Sequence, residues 1–373
     1  MKAIAEHGED DGSAGERPLR RGWTTGTCAT AAAAAAFEAL LTGAFPDPVT
    51  IALPRGGFAT LPLARAELRA GAALAGIIKD AGDDPDVTHG ALVTATVVPA
   101  APGAGVVFRA GEGVGTVTLP GLPIPPGEPA INPGPRRMMT TALSAIAAAH
   151  AVAADAVITV GVDGGAALAE KTLNGRLGIR GGLSILGTTG VVVPFSCAAW
   201  IHSIFRGIDV ARAAGLPHLV AATGSTSEAA ARALLGVPDQ ALIDMGDFAG
   251  GTLKYLRTHP VPRLTLAGGF AKLVKLAQGQ LFLHSAKSRV DVPALAATLA
   301  SLGAAPAAVA DAAAAGSAAQ ILAIAQGQRL PLADRIAADA RAVSQSLLSP
   351  ATAADVLVFD RAGRLIGRTG AGD

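Results

Sequence analysis

Aromatic side chains are scarce. They make up 3% of the chain, with two tryptophans and one tyrosine, so any core is built from Ala, Val, Leu and Ile. Charge is scarce too, at 16% of residues with a net charge of +1. No basic stripe interleaves with aromatics, which excludes a nucleic-acid footprint. Two cysteines, Cys28 and Cys197, are too few for a disulfide framework or a four-ligand zinc site and fit a reducing compartment. No apolar segment follows Met1: residues 1–20 are polar and acidic before "RPLRR", so no signal peptide is expected. The longest uncharged run, residues 181–205, is broken by Gly187, Gly190 and Pro194. Lipid would leave those backbone groups unsatisfied, so the run reads as a buried strand and loop. No membrane association is expected, and the location expected is the cytoplasm. Strict G-x-G-x-x-G and P-loop fingerprints are absent, and spacing assembles no Asp–His–Ser or Cys–His constellation.

What is present is apolar and flexible. Half of the chain is apolar, with 46 glycines and 24 prolines over 373 residues. That length suits two domains. After a disordered tail over 1–18, a helix is expected from Thr27 to Leu41, ended by Gly43. Strands are expected around the Gly56–Gly57 turn, in "GAALAGIIKD" and "ALVTATVVPA", and as a glycine-turned pair in "GVVFRAGEGVGTVTLP". A helix from Pro135 to Ala149 and the strand "DAVITVGV" complete an α+β domain over 19–190. The remainder, 191–373, repeats strand, glycine turn and helix in "HLVAATGSTSEAAARALLG", "ALIDMGDFAGGTLKYLRT" and "RLTLAGGFAKLVKLAQG". This pattern predicts a Rossmann-like, three-layer α/β domain with a mainly parallel sheet, ending in helices over 292–347 and a hairpin. The fold class is thus mixed α/β.

Several stretches carry candidate chemistry. Thr24, Thr25, Gly26 and Thr27 open the first helix. One hydroxyl would cap it, so three around a glycine at the positive helix end point to a carboxylate pocket. Cys28 is expected to pack among small residues. "KDAGDDPDVTHG" gathers Asp80, Asp83, Asp84, Asp86 and His89. Its spacing is not an EF-hand, and the plain reading is an Asx-rich turn. A grip on a polar or cationic ligand stays open. Arg136 and Arg137 follow the proline-punctuated "PGEPAINPG", with Asn132, and suit a carboxylate clamp. The glycine-rich segment 173–190 offers Arg176, Arg180, Ser184, Thr188 and Thr189 to a ligand or to another backbone. Gly224, Ser225 and Thr226, and Gly268 and Gly269, lie where strands run into helices, the ligand edge of an open parallel sheet. Thr226 or Ser227 is expected to cap its helix, with Glu228 favouring the dipole. Lys272 and Lys275 follow the last of these turns, and His284 and Ser285 end a later strand. The inventory suits two sizeable polar ligands and group transfer by positioning. A tetrapyrrole carrier without chemistry is one other class. A nucleotide-dependent enzyme is another, against which stands the lack of an acidic residue at a suitable strand end.

"GWTTGTCATAA", "IIKDAGDDPDVTHG", "GEGVGTVT", "GEPAINPGPR", "NGRLGIRGGLSILGTTGVVVPFS" and "AKLVKLAQG…HS", in this order, resemble the CbiD family, the cobalt-precorrin-5B C(1)-methyltransferases of anaerobic cobalamin biosynthesis. The resemblance runs from about Leu19 to the C-terminal hairpin. It implies an S-adenosylmethionine-dependent methylation of ring carbon 1, giving cobalt-precorrin-6A. The electron-rich ring carbon attacks the sulfonium methyl, so no protein nucleophile is needed. Cobalt would arrive only as part of the substrate, and no protein metal site is implied. Arg136, Arg137, Arg176, Arg180, Lys272 and helix N-termini would hold the substrate's carboxylates. Asp80 or Asp84 would face the sulfonium or amino group of the donor. Assembly as a homo-oligomer is compatible with this reading.

Overall fold

The structure, a computed structural model, describes residues 17–369. The tail expected over 1–18 lies outside the described residues, apart from its last two positions. The chain opens with β1 (Gly22–Trp23), α1 (Thr25–Thr42), β2 (Val49–Ala52), β3 (Phe58–Leu61), β4 (Arg65–Arg69), β5 (Ala72–Ile78) and β6 (Leu92–Pro99). It continues with β7 (Val106–Ala110), β8 (Thr116–Val117), α2 (Pro133–Ala149), β9 (Ala156–Val162), α3 (Gly165–Ala169), β10 (Ile179–Arg180), β11 (Val191–Val192) and α4 (Cys197–Ala213). Next come β12 (His218–Ala222), α5 (Ser225–Leu235), β13 (Leu242–Asp244), α6 (Ala249–Thr258), β14 (Arg263–Gly269) and α7 (Phe270–Ala277). The last elements are α8 (Val292–Ser301), α9 (Pro306–Ala313), α10 (Ala318–Gly327), α11 (Leu332–Leu347), β15 (Ala353–Phe359) and β16 (Leu365–Thr369).

Contacts divide these elements into two compact units. One holds the described residues up to Phe108 together with Gly134–Asp163 and Ile185–Phe195. The other holds Arg109–Pro133, Gly164–Ser184 and the chain from Ser196 onward. A reading along the sequence draws one change near residue 190. Contacts add 109–133 and 164–184 to the second unit, where β8 pairs with β10.

The first unit is built on α1 and the five-stranded sheet β4-β5-β6-β9-β7. Every residue of α1 from Thr25 to Phe37 is buried. A helix apolar all round is a buried helix, and here its side chains are mostly methyl groups. The strands beneath it alternate, so Ala73, Ala75 and Ile77 of β5 and Val93, Ala95 and Val97 of β6 form the inward row. Ala75 faces Ala95 across the ladder. Short side chains on helix and sheet let the two backbones approach closely. The β2–β3 hairpin packs on α1 as well, with Gly56 and Gly57 in its turn at φ 91° and 78°. Gly43 ends α1 in the left-handed conformation, its N–H bonded to Ala39 O.

The second unit contains the sheet β13-β12-β14-β15-β16, parallel except for the last strand. Its central strands β12, β14 and β15 are buried on both faces, as a doubly covered parallel sheet requires. Leu219 and Ala221 face α4, α6, α7 and α11, whereas Val220 and Ala222 face Ala231 of α5. Helices thus cover both faces, and the mixed α/β class with a mainly parallel sheet holds.

Two expected elements differ. The pair expected in "GVVFRAGEGVGTVTLP" is no hairpin: β7 joins the sheet of β9, and β8 pairs with β10. The run 181–205, expected as strand and loop, ends in helix α4. That helix buries Ile204, Ile208 and Ala211 at helical spacing. No helix of the described residues is long and apolar enough to cross a membrane.

The packing of α1 sets an expected outcome. Ala33→Leu puts three extra carbons at a position with no exposed surface and is expected to lower stability by about 1–3 kcal/mol. Urea unfolding measures the loss, and an unchanged midpoint would show that the helix is not held close.

Candidate functional site

In the first unit, the start of α1 clasps a distant loop. Thr24 is the N-cap, its Oγ1 accepting from Thr27 N at 3.2 Å and lying 3.0 Å from Thr27 Oγ1. The Thr27 hydroxyl donates to Gly190 O at 2.6 Å. Thr24 N donates to the same oxygen at 3.1 Å, and Gly26 N donates to Leu186 O at 2.9 Å. The loop approaches so closely that a Cβ on Gly187 (φ 127°) would stand 2.3 Å from Thr24 Oγ1. A Cβ on Gly26 would meet the Pro135 ring of α2 at 2.7 Å. Most of the donors at this helix end are therefore used by the chain itself. Thr25 is the exception: it is 4% exposed, and its hydroxyl makes no hydrogen bond among the described residues. Cys28 is fully buried, and burial pushes its thiol up to about 12. Thr189 Oγ1 donates to Val191 O at 3.0 Å, and Thr188 is exposed.

The acidic loop is also held by its own chain. Arg20 forms a bidentate ion pair with Asp80, one contact of which is 2.8 Å, and its backbone N donates to Asp83 Oδ2 at 2.6 Å. The hydrogen bond from Arg20 is the main cause that brings the Asp80 carboxyl down to about 2. Asp84 Oδ1 accepts from Phe195 N at 2.9 Å. Asp86 takes the fully buried Lys79 ammonium at 2.6 Å and both donors of Thr88. Burial alone would raise the Asp86 carboxyl, but these bonds outweigh it and hold it low. His89 Nδ1 accepts from Ala81 N at 3.1 Å. The turn reading of this loop thus has a bond for each carboxylate. Among the described residues no group of three or more His, Cys, Asp or Glu stands ready for a metal ion. On α2, Arg136 lies over the Phe108 ring at 5.4 Å and Arg137 is exposed.

In the second unit the strand order reverses. From β12 the chain passes through α5 to β13 on one side. It then returns through α6, on the opposite face, to β14 on the other side. The C-terminal ends of β12 and β14 are therefore a topological switch point, where open α/β sheets bind ligands. Gly224, Ser225, Thr226, Gly268 and Gly269 all sit at this edge. Thr223 N bonds Ala267 O at 2.9 Å, and a Cβ on Gly268 would stand 2.9 Å from Thr223 Oγ1. Lys272 donates to Thr223 O at 2.7 Å and stands 3.0 Å from Asp247 Oδ1. Lys275 turns away to Leu283 O at 2.9 Å. His284 and Ser285 are exposed, with His284 Nδ1 accepting from Ala286 N at 3.2 Å. Ser184 reaches Asn174 Oδ1 at 3.4 Å in the same unit, where Arg180 is exposed and Asn132 half-buried.

Two expectations at this edge are corrected. Neither Thr226 nor Ser227 caps α5. The helix begins at Ser225, Gly224 occupies the cap position, and no side chain bonds the first amides. Ser227 Oγ instead donates back to Gly224 O at 2.9 Å. An acidic residue does stand at a strand end: Asp244 is the last residue of β13, about 20 residues after Gly224. Burial, then the charge of Glu228, raise its carboxyl. Glu228, in the first turn of α5, holds Arg176 bidentately at 2.8 and 2.5 Å. Trp200, at the start of α4, stands beside Asp244 and is not singled out by the sequence. Its Nε1 donates to Asp244 O at 3.2 Å, and its ring lies against Gly246, 3.4 Å from where a Cβ would stand. Trp200, Phe248 and Phe282 follow one another at 6.3 and 5.3 Å between ring centres. The glycine turn followed at this interval by "LIDMGD" was the available signal.

Fold and strand order together define an α/β protein whose second unit carries a doubly wound sheet. Residues 13–194 match the CbiD family and residues 282–370 the CbiD C-terminal domain family. A Bradyrhizobium protein named cobalt-precorrin-5B C(1)-methyltransferase is 60% identical over 353 residues, 94% of each chain. One of the same name from Paramagnetospirillum magneticum is 60% identical over 355 residues, 95% of this chain and 99% of that one. A crystal structure of a cobalamin biosynthesis protein (CbiD) from Archaeoglobus fulgidus has 27% identity and a TM-score of 0.39, over 69% of this chain and 79% of that one. The chain belongs to the CbiD family.

Two outcomes follow from the first unit. Gly187→Ala forces a Cβ into Thr24 and is expected to destabilise by at least about 1–3 kcal/mol in denaturant unfolding. Asp80, lowered from 3.8 to about 2, stabilises the fold above pH 4, and that contribution is lost as the pH falls through about 2. Arg20→Ala should therefore flatten acid unfolding between about pH 4 and 2, by a small amount because the pair is solvated. Identical acid profiles would show that the pair carries no stability.

Proposed function

We propose that this chain is a cobalt-precorrin-5B C(1)-methyltransferase that takes its methyl group from S-adenosylmethionine. The single observation that carries the activity is 60% identity over 94% of the chain and 94% of a relative of that name. A methyl donor follows from methyl transfer, and S-adenosylmethionine is the donor a sulfonium chemistry supplies. The electron pair of ring carbon 1 forms the new carbon–carbon bond, and the carbon–sulfur pair returns to sulfur. Nothing in the step needs a protein nucleophile, so the enzyme's part is to place two bound molecules in line. The corrinoid brings its cobalt and its carboxylates. Exposed Arg180 of the second unit suits one of those carboxylates as a bidentate partner. Arg176 is engaged by Glu228, so its part is to fix the loop against α5. The doubly wound unit suits the donor. A reducing cytoplasm is part of this reading, in keeping with free thiols at Cys28 and Cys197. A carrier without chemistry has no observation in its favour.

Incubation of the full chain with both substrates should add one methyl to the corrinoid by mass spectrometry. No methylated product, with both substrates shown to bind, would sink the reading. Arg180→Ala should raise KM for the corrinoid, by roughly 10-fold for one lost charge-assisted contact, with kcat little changed. An unaltered KM would remove Arg180 from the substrate site.

A further inference from the structure

The C-terminal edge of β12 and β13 gathers three features that its own packing does not use. The first is the Asp244 carboxylate. It is half-buried at the strand end, and among the described residues it makes no hydrogen bond and no ion pair. A carboxylate part-way out of water is costly unless something donates to it. The second is the start of α5, whose first amides no side chain caps and whose Ser225 and Thr226 are exposed. The third is Trp200. Its N–H is spent on Asp244 O, which fixes the indole beside that residue, yet the side chain is 46% exposed. A large flat aromatic fixed at a ligand edge and open to solvent offers a stacking face.

Charge selects among ligands. A phosphate at the α5 start would meet Glu228 in the first turn and Asp244 beyond it. Arg176, the nearby guanidinium, is already bidentate on Glu228. A neutral diol is favoured instead, because both hydroxyls can donate to a carboxylate, which only accepts. The site therefore fits a nucleoside without phosphates.

We infer that Asp244 accepts the two ribose hydroxyls of a phosphate-free nucleoside whose base stacks on Trp200, so that this edge holds the adenosyl half of the methyl donor. The inference rests on S-adenosylmethionine being that donor, as proposed above. Asp244 binds and orients the donor and takes no part in the bond-making step.

The test titrates the full chain calorimetrically with S-adenosylhomocysteine, adenosine, 2′-deoxyadenosine and ATP. The wild-type chain should bind S-adenosylhomocysteine, prefer adenosine to its 2′-deoxy analogue, and bind ATP more weakly than adenosine. Asp244→Asn, checked for an unchanged thermal midpoint, should weaken S-adenosylhomocysteine by about 10- to 100-fold and abolish the preference for the 2′-hydroxyl. In a Trp23→Phe background, where Trp200 is the remaining tryptophan, S-adenosylhomocysteine should change the fluorescence. Equal affinity of wild type and Asp244→Asn, or equal affinity of wild type for the two nucleosides, would overturn the site while leaving the donor reading intact. The comparison of nucleosides needs no variant, so it decides the matter even if Asp244→Asn fails to fold. No binding of S-adenosylhomocysteine by the wild type would overturn the donor reading and the site with it.

Discussion

A helix covered on every side leaves no room for side chains, and the first unit is arranged around that constraint. From Thr25 to Phe37 α1 has no exposed residue. Alanines face it from β5 and β6. The same closeness governs its start, where Gly26 meets Pro135 and Gly187 meets Thr24 without space for a Cβ. Close packing of this kind tolerates little change in volume. It ties the motif at residues 24–27 to the loop at 186–190, and that long-range tie explains the hydroxyls of Thr24 and Thr27 and the glycines.

The second unit depends on a reversal of direction. Because β12 is followed by β13 on one side and β14 lies on the other, the helices leave that edge toward opposite faces of the sheet, the arrangement at which open α/β sheets bind ligands. Thr223 and Lys272 fill the part between β12 and β14, while Asp244, Glu228 and Trp200 lie toward β13. In a transfer between two bound molecules, such fixed placement is the enzyme's main contribution.

Much of the fold was legible in the sequence, because its signals are local. The alanine run with its terminal Gly43 gives α1, and three strand–glycine–helix repeats give the parallel sheet. Helix α4 was hidden because its first half sits inside an uncharged run, where periodicity has nothing to contrast with. The hydroxyls of Thr24 and Thr27 read as ligand donors because their partner, Gly190 O, lies far along the chain. At α5 the hydroxyls of Thr226 and Ser227 read as caps, but the chain enters the helix at Gly224, so they fall inside it. Asp244 was passed over although "ALIDMGD" reads as strand and turn, because only the pairing with β12 shows that the strand ends on the carboxylate. The carboxylates of the acidic loop kept two readings open in sequence, and their separate bonds to Arg20, Phe195, Lys79 and Thr88 appear only in three dimensions.

The most direct test is a crystal structure of the full chain with S-adenosylhomocysteine. The account predicts density at the C-terminal ends of β12 and β13, with ribose oxygens within hydrogen-bond distance of the Asp244 carboxylate and the base against Trp200. Density at the start of α1, or anywhere away from that sheet edge, would contradict it.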